Sequence, residues 1–418
     1  MDKRTFLKKS GMAATVGLVE WGPLGPLLDY AAGRDAMMLA KDEDFWAQVR
    51  AGYKLKPDYI NFENGYYCFL PEEILERQIA HMRDVNLHGS QYMRTRQFPD
   101  KDKMASRLAE TFGCKPTEMV ITRNTTESLD LVIQGRNWQP GDEAVMANQD
   151  YGAMLDMFDL MALRHGMVCK RVDVPLHPAT DEEILEVYAR AITPKTKLLM
   201  VCHMINITGH ILPVRKIADM AHARGVEVMV DGAHAIAHFS FRLDELGCDY
   251  YGASLHKWLS VPLGAGLLYV REEKIPGLWP LLGTSVKDLK DIKRLNHTGT
   301  HPVHVVMSVG DSLDFYQKLG PEHKEARLRH LGHNLRTAAK SIPDVVVNTP
   351  IEAERSCGIT NIGHLRHTPA ELGAQLLQKH GIYTVPIDYA GVHGVRITPN
   401  VYTSIEDVQK VIEALARL

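Results

Sequence analysis

Apolar and polar positions follow two alternating patterns between residues 119 and 270. Short apolar runs, typical of buried strands, are followed by stretches with apolar residues at every third or fourth position, typical of helices. The predicted strands are 120–122, 143–147, 168–174, 197–203, 227–230 and 267–270, and the predicted helices are 124–135, 154–164, 181–192 and 214–224. Strands and helices that alternate in this way predict a parallel sheet with helices on both faces.

The pattern changes after about residue 305, where two long helices precede short, separated strands. The predicted helices are 305–319, 322–340, 369–380 and 404–415, and the strands are 345–347, 359–363, 383–385 and 395–398. This arrangement favours a smaller α+β domain at the C-terminus. The predicted organisation is a signal and linker (1–40), an N-terminal segment that packs with the small domain (41–70), a large α/β domain (71–305) and the small domain (306–418).

Composition excludes several classes of protein. The chain has 418 residues, enough for two domains, and its net charge of −3 gives no reason to expect nucleic acid as a partner. The cysteines at positions 68, 114, 169, 202, 248 and 357 are scattered without a CxxC pair, which indicates neither a zinc site nor a disulfide framework. Because no run of 18 apolar residues occurs, no membrane span is expected.

The N-terminus has the layout of an export signal. Residues 1–10 read MDKRTFLKKS and are followed by the weakly apolar GMAATVGLV. The Lys3-Arg4 pair resembles a twin-arginine signal in which lysine replaces the first arginine. We therefore expect export to the periplasm. The alternative is an amphipathic N-terminal helix on a cytoplasmic protein.

The strongest chemical signal lies in residues 228–258, which read VMVDGAHAIAHFSFRLDELGCDYYGASLHKW. Asp231 ends an apolar run, so it is expected at the carboxyl end of a buried strand, where ligands bind in open α/β sheets. Lys257 is flanked by small and aromatic residues, which favours a lowered pKa and bonding to a carbonyl compound. Pyridoxal phosphate requires this combination, because a lysine bonds its aldehyde and a carboxylate pairs with its ring nitrogen.

The DGAHA motif, followed by the lysine of SLHKW 26 residues after its aspartate, resembles the class V aminotransferase family. The likeness extends from about residue 60 to the C-terminus and is strongest to the isopenicillin-N epimerase-like branch. It implies the fold-type I α/β fold of pyridoxal-phosphate-dependent transferases, with the cofactor bound by the large domain. It also implies catalytic roles for Lys257 and Asp231.

Several residues are candidates for the phosphate of that cofactor. Thr125 and Thr126 lie where a predicted strand turns into a helix, and free N–H groups at a helix start bind anions. Ser254 and His256 add possible donors beside the lysine. By resemblance, the loop around Thr300 reaches the phosphate of a second subunit, which implies a homodimer with its active site at the interface.

Other candidates concern the cofactor ring and the substrate. Tyr151 follows a strand and could stack on the ring, and His234 and Asn206 are expected near its 3′-oxygen. By resemblance, Arg396 binds the carboxylate of an amino acid substrate. The turn at Asn64 and Gly65 belongs to a loop that the family places over the substrate.

The reaction is less constrained than the cofactor. The leading hypothesis is an amino acid epimerase or racemase, with a C–S or other β-elimination lyase as the main alternative and an aminotransferase as the second. Cysteine desulfurase is disfavoured, because the segment before Arg396 contains no cysteine. A metal site at His297, His301 and His304 is also disfavoured, so no metal is expected.

Overall fold

A computed structural model of the chain describes residues 21–22 and 24–418. Its helices are α1 (Leu24–Ala31), α2 (Ala36–Leu39), α3 (Glu43–Ala51), α4 (Glu72–His88), α5 (Ser90–Thr95), α6 (Gln97–Phe112), α7 (Thr125–Gly135), α8 (Gly152–His165), α9 (Asp181–Ala191), α10 (Val214–His222), α11 (Leu243–Leu246), α12 (Val303–Leu319), α13 (Pro321–Ala339), α14 (Pro369–His380) and α15 (Ile405–Ala416). Its strands are β1 (Ile60–Asn61), β2 (Met119–Thr122), β3 (Glu143–Ala147), β4 (Val168–Val172), β5 (Thr196–Cys202), β6 (Glu227–Asp231), β7 (Tyr250–Ser254), β8 (Gly266–Val270), β9 (Val345–Val347), β10 (Thr360–His364), β11 (Ile382–Tyr383), β12 (Val385–Tyr389) and β13 (Val392–Ile397).

A seven-stranded sheet forms the centre of the large domain, with the strand order β2-β8-β7-β6-β5-β3-β4. Strands β7, β6, β5, β3 and β4 are parallel to one another, whereas β8 runs antiparallel to both β2 and β7. The predicted α/β fold with a mostly parallel sheet is therefore confirmed. Strand β7 was absent from the sequence-based prediction, although it leads directly to Lys257.

The alternation of side chains along β5 explains why the sheet is covered on both faces. Leu199 and Val201 belong to one buried cluster, which includes residues of α10, whereas Leu198 and Met200 belong to another, which includes residues of α7 and α8. Side chains of a strand point alternately to opposite faces, so a strand that is apolar throughout requires two apolar layers. The parallel strands thus end together at one edge, where their following loops carry polar residues.

The small domain is built on a four-stranded antiparallel sheet with the order β12-β13-β10-β9. A separate parallel pair joins β1 to β11, with Ile60 opposite Ile382. This pairing ties the N-terminal segment to the small domain. As a result, the loop that follows β1 lies beside β13, the strand that carries Arg396.

Residues 24–40 differ from the prediction, which treated them as linker. Helices α1 and α2 contribute Leu24, Leu28 and Leu39 to a buried cluster that also contains Phe315 and Tyr402. The segment contains glycine at position 25 and proline at position 26, which are unfavourable inside helices. Both lie in the first turn of α1, where proline removes no intrahelical hydrogen bond, so the helix forms despite them.

The predicted export signal occupies residues 1–19, which lie outside the described residues, and it remains a prediction. Among residues 21–22 and 24–418, no helix combines the length and apolar character that crossing a bilayer requires.

Gly266 allows β8 to pass close to the start of α7, and this contact generates a testable prediction. A Cβ atom at position 266 would lie 2.7 Å from the backbone N and Cα of Asn124. We expect Gly266→Ala to lower the free energy of unfolding by about 1–3 kcal/mol, the usual cost of overpacking. Chemical denaturation measures this change. Gly277→Ala is the matched control, because a Cβ there meets nothing within 4 Å, and an equal loss in both variants would contradict the prediction.

Candidate active site

A cavity of about 540 Å³ opens at the carboxyl ends of the parallel strands. Every site residue predicted from the sequence lines it except Asn64 and Thr300; those that do are Gly65, Thr125, Thr126, Tyr151, Asn206, Asp231, His234, Ser254, His256, Lys257 and Arg396. They come from segments that are far apart in the sequence. Most of them meet because parallel strands end at one edge of the sheet, whereas Arg396 and Gly65 come from the small domain and the N-terminal loop.

The amine of Lys257 lies deep in this cavity, 3.1 Å from Nε2 of His234. On the far side of the imidazole, Nε1 of Trp258 donates to Nδ1 of His234 at 3.4 Å. Because Nδ1 accepts, the neutral ring is assigned its proton on Nε2, and Nε2–H can donate only to an unprotonated amine. Burial lowers the pKa of His234 well below its usual value, which keeps the ring neutral.

Burial and neighbouring charges set the pKa of Lys257. Burial lowers its pKa to about 8; the negative charge of Asp231 opposes that change, and the positive charge of Arg396 adds to it. A lysine with this pKa has an appreciable unprotonated fraction near neutral pH. The free amine is the form that attacks carbonyl carbons and removes protons.

Asp231 ends β6 and is almost completely buried. Its Oδ1 accepts the backbone N–H of Ala233 at 2.9 Å. Burial raises the pKa of this carboxyl group, whereas that hydrogen bond and the charge of Lys257 lower it. A cationic group placed against Asp231 would offset the cost of burying its charge, so the residue suits a protonated ring nitrogen.

The start of α7 forms the polar end of the cavity. Asn124 caps the helix by accepting the N–H of Glu127 at 2.9 Å. Ser254 accepts the backbone N–H of Thr125 at 2.8 Å, and the two hydroxyls are 2.7 Å apart. This ties the end of β7 to a helix N-terminus, where backbone dipoles favour an anion such as phosphate.

Unpaired polar atoms around the cavity indicate that a polar ligand completes it. Among the described residues, Nδ1 of His256 and Oδ1 of Asn206 are buried without a hydrogen-bond partner. Buried polar atoms in proteins are nearly always paired, so such atoms point to a missing partner. Burial lowers the pKa of His256 to about 4, which keeps its ring neutral. Tyr151 remains 43% exposed at the cavity edge, where it is free to stack on a ring.

Two of the predicted site residues lie away from the cavity. Asn64 is fully buried, and its side chain bonds to the carbonyl of Thr398 and the hydroxyl of Tyr402, so it holds the loop in place instead of facing a substrate. Thr300 is exposed on a loop outside the cavity of its own chain.

Sequence reasoning missed two acidic residues near the site. Glu63 forms an ion pair with Arg396, with 2.7 Å between Oε1 and Nη2. Asp150 is fully buried, accepts the N–H of Ala147 at 2.8 Å and has its pKa raised to about 7, by burial and by the nearby Asp231. Neither belongs to a recognisable motif, and Glu63 lies 333 positions from its partner, so no local pattern could have revealed the pair.

Within the part of the chain that the structure describes, no group of three or more histidine, cysteine, aspartate or glutamate residues could hold a metal ion.

Comparison with known proteins gives a consistent result. The family model for class V aminotransferases matches residues 70–411. The isopenicillin N epimerase of Streptomyces clavuligerus is 27% identical over 391 residues, covering 89% of this chain and 98% of that protein. A probable cysteine desulfurase of Synechocystis is 27% identical over 326 residues, covering 73% of this chain and 77% of the other.

A solved structure supports the fold. The C-DES protein, with glycine covalently linked to its pyridoxal phosphate cofactor, superposes with a TM-score of 0.80 at 22% identity. The match covers 88% of this chain and 98% of that chain.

The balance of charges around Lys257 can be measured. We expect the cofactor-free protein to show half-maximal labelling of Lys257 near pH 8 with a small amine-reactive reagent, followed by mass spectrometry. Since the charge of Asp231 stabilises the ammonium form, Asp231→Asn should move this midpoint to lower pH. Labelling of the exposed Lys287 serves as an internal control and should not change. A midpoint that rises in the variant would contradict the assigned geometry.

Proposed function

The chain belongs to the class V aminotransferase family and is a pyridoxal-phosphate-dependent enzyme, and we propose that it acts as an amino acid epimerase or racemase. The observation that carries the proposal is the placement of the Lys257 amine beside neutral His234, with Asp231 in the same cavity. A free amine at this position can remove a proton from the Cα of a bound amino acid. Similarity to two isopenicillin N epimerases favours return of that proton to the opposite face.

When bound, pyridoxal phosphate supplies an aldehyde that bonds amines and a ring that accepts the electron pair released at Cα. Lys257 would hold the aldehyde, and Asp231 would hold the ring nitrogen in its protonated form. Ser254 and His256, together with Thr125 and Thr126 at the start of α7, would bind the phosphate.

Placement of the proton decides the reaction once the Cα–H bond is broken. Lys257 is the proposed base on one face. Arg396 would orient the carboxyl end of the substrate through its guanidinium, which lines the cavity. The guanidinium packs against Gly65, where a Cβ would be 2.8 Å from Cζ. His234 and Asn206 would fix the cofactor edge from which the substrate amine extends.

A β-elimination lyase is the alternative, because the superposed C-DES protein is described as a cystine C–S lyase. An aminotransferase is the second alternative. Cysteine desulfurase remains disfavoured: burial raises the pKa of each of the six cysteine thiols (Cys68, Cys114, Cys169, Cys202, Cys248 and Cys357), whereas that reaction requires a thiolate.

We also propose that the enzyme is a homodimer whose active site spans the interface. Thr300 is exposed and outside its own cavity, which suits a contribution to a partner's phosphate site. Helix α4 buries only Ile74 and exposes Leu75, Met82 and Leu87. These exposed apolar side chains would suit contact with a second subunit.

Incubation of the holoenzyme with a panel of L-amino acids in deuterated buffer tests the proposed reaction. We expect deuterium at Cα together with loss of optical purity, and Lys257→Ala should lower the rate at least about a hundredfold, because it removes the base. Mass spectrometry and chiral chromatography provide the measurements. Release of a keto acid and ammonia would establish the lyase instead, and dependence on added keto acid would establish the aminotransferase.

Mixed dimers test the shared site. Lys257→Ala and Thr300→Asp subunits, each inactive or nearly so alone, should regain activity when unfolded and refolded together. A mixed dimer has one intact site if Thr300 serves the partner, so an equal mixture should reach about a quarter of wild-type activity. Activity that stays at the level of the separate variants would show that Thr300 does not act across an interface.

A further inference from the structure

Arg396, the proposed anchor for the substrate carboxyl group, already has an acidic partner. Its Nη2 lies 2.7 Å from Oε1 of Glu63, and both side chains are only 8% exposed. The same oxygen accepts the backbone N–H of Tyr66 at 2.7 Å. The carboxylate of Glu63 is therefore held in place by two donors, one of them from an arginine that lines the cavity.

The backbone around the ion pair is fixed. The side-chain amide of Asn64 donates to the carbonyl of Thr398 at 2.6 Å, and the N–H of Thr398 donates to the carbonyl of Phe62 at 2.8 Å. Glu63 lies between the two bonded residues of its loop, and Arg396 is two residues before Thr398. The pair is thus part of the folded framework that joins the N-terminal loop to β13.

The negative charge of Glu63 disfavours binding of a substrate carboxylate to Arg396. Arg396 carries one positive charge, which Glu63 neutralises at close range. A substrate carboxylate bound to Arg396 would bring a second negative charge next to Glu63, where both side chains are largely buried, and like charges that are shielded from solvent repel strongly. An uncharged carboxyl derivative escapes this repulsion.

The unused hydrogen-bonding groups of the pair also favour an uncharged carboxyl derivative. Among the described residues, Oε2 of Glu63 and Nε of Arg396 are buried without a partner. The pair therefore retains one unused acceptor and one unused donor. A carboxamide offers a complementary donor and acceptor, whereas a carboxylate offers acceptors alone.

We propose that Glu63 is a specificity-determining residue that makes the Arg396 subsite favour an amino acid amide over the free amino acid. The inference rests on the proposed chemistry at Cα and names the substrate class for it: α-amino acids whose carboxyl group is amidated. Glu63 acts by neutralising Arg396 and by accepting the amide N–H.

Binding to the holoenzyme tests the inference. The change in absorbance of the lysine-bound cofactor is titrated with L-alanine and with L-alaninamide, in wild type and in Glu63→Gln. We expect the ratio of acid to amide affinity to rise at least about tenfold in the variant, equivalent to about 1.4 kcal/mol. The lower basicity of the amide's amino group affects both proteins equally, so it cancels from the comparison.

Two controls separate charge from structure. Glu63→Asp keeps the charge and should retain the wild-type ratio, and Glu63→Ala, which also removes the charge, should shift it in the same direction as Glu63→Gln. A ratio that neither neutral variant raises, or that moves toward the amide, overturns the inference. Absence of Cα deuterium exchange across the whole panel of L-amino acids and their amides would instead refute the proposed reaction, and the two failures are distinguishable because the affinity ratio requires no turnover.

Discussion

The active site depends on the burial of two ionisable groups, Asp231 and Lys257, in one cavity. Burial alone would neutralise both, since it raises the pKa of the carboxyl group and lowers that of the amine. Each charge partly offsets this effect on the other. The result is an amine that loses its proton close to neutral pH beside a carboxylate that is costly to leave without a cation. A cofactor with an aldehyde and a basic ring nitrogen satisfies both requirements.

The sheet brings these two groups together through close backbone packing. Gly232 follows Asp231 and lies against the ring of Tyr251 in β7, so closely that a Cβ would fall 2.0 Å from the ring. Strand β7 then continues to Ser254, which bonds to the start of α7. The same pair of neighbouring strands therefore positions the carboxylate, the polar end of the cavity and the lysine. The small domain adds Arg396 from the opposite side, together with its partner Glu63.

The sequence predicted most of the fold and the centre of the site, because these depend on local patterns. Asp231 and Lys257 stood out through an apolar run and their spacing. Strand β7 was missed because its Gly252 is unfavourable in strands; the glycine is present because a Cβ would lie 2.7 Å from Leu129. The contacts of Asn64 could not be predicted for another reason. An Asn-Gly turn indicates a loop, but only the fold shows that the side-chain amide of Asn64 donates its hydrogen bond to the carbonyl of Thr398.

Contacts between residues that are distant in the sequence explain why the reaction is harder to predict from the sequence than the cofactor. The residues proposed to bind the cofactor lie mainly on strands and loops of one sheet, and the spacing of Asp231 and Lys257 forms a motif that can be read from the sequence. The proposed substrate choice depends on the contact of Glu63 with Arg396, which joins the N-terminal segment to the small domain and cannot be recognised from sequence spacing. Burying this ion pair carries a desolvation cost. In the absence of Glu63, Arg396 would also bind a substrate carboxylate more strongly. A role of Glu63 in selecting the substrate would explain why the fold keeps this ion pair despite its desolvation cost.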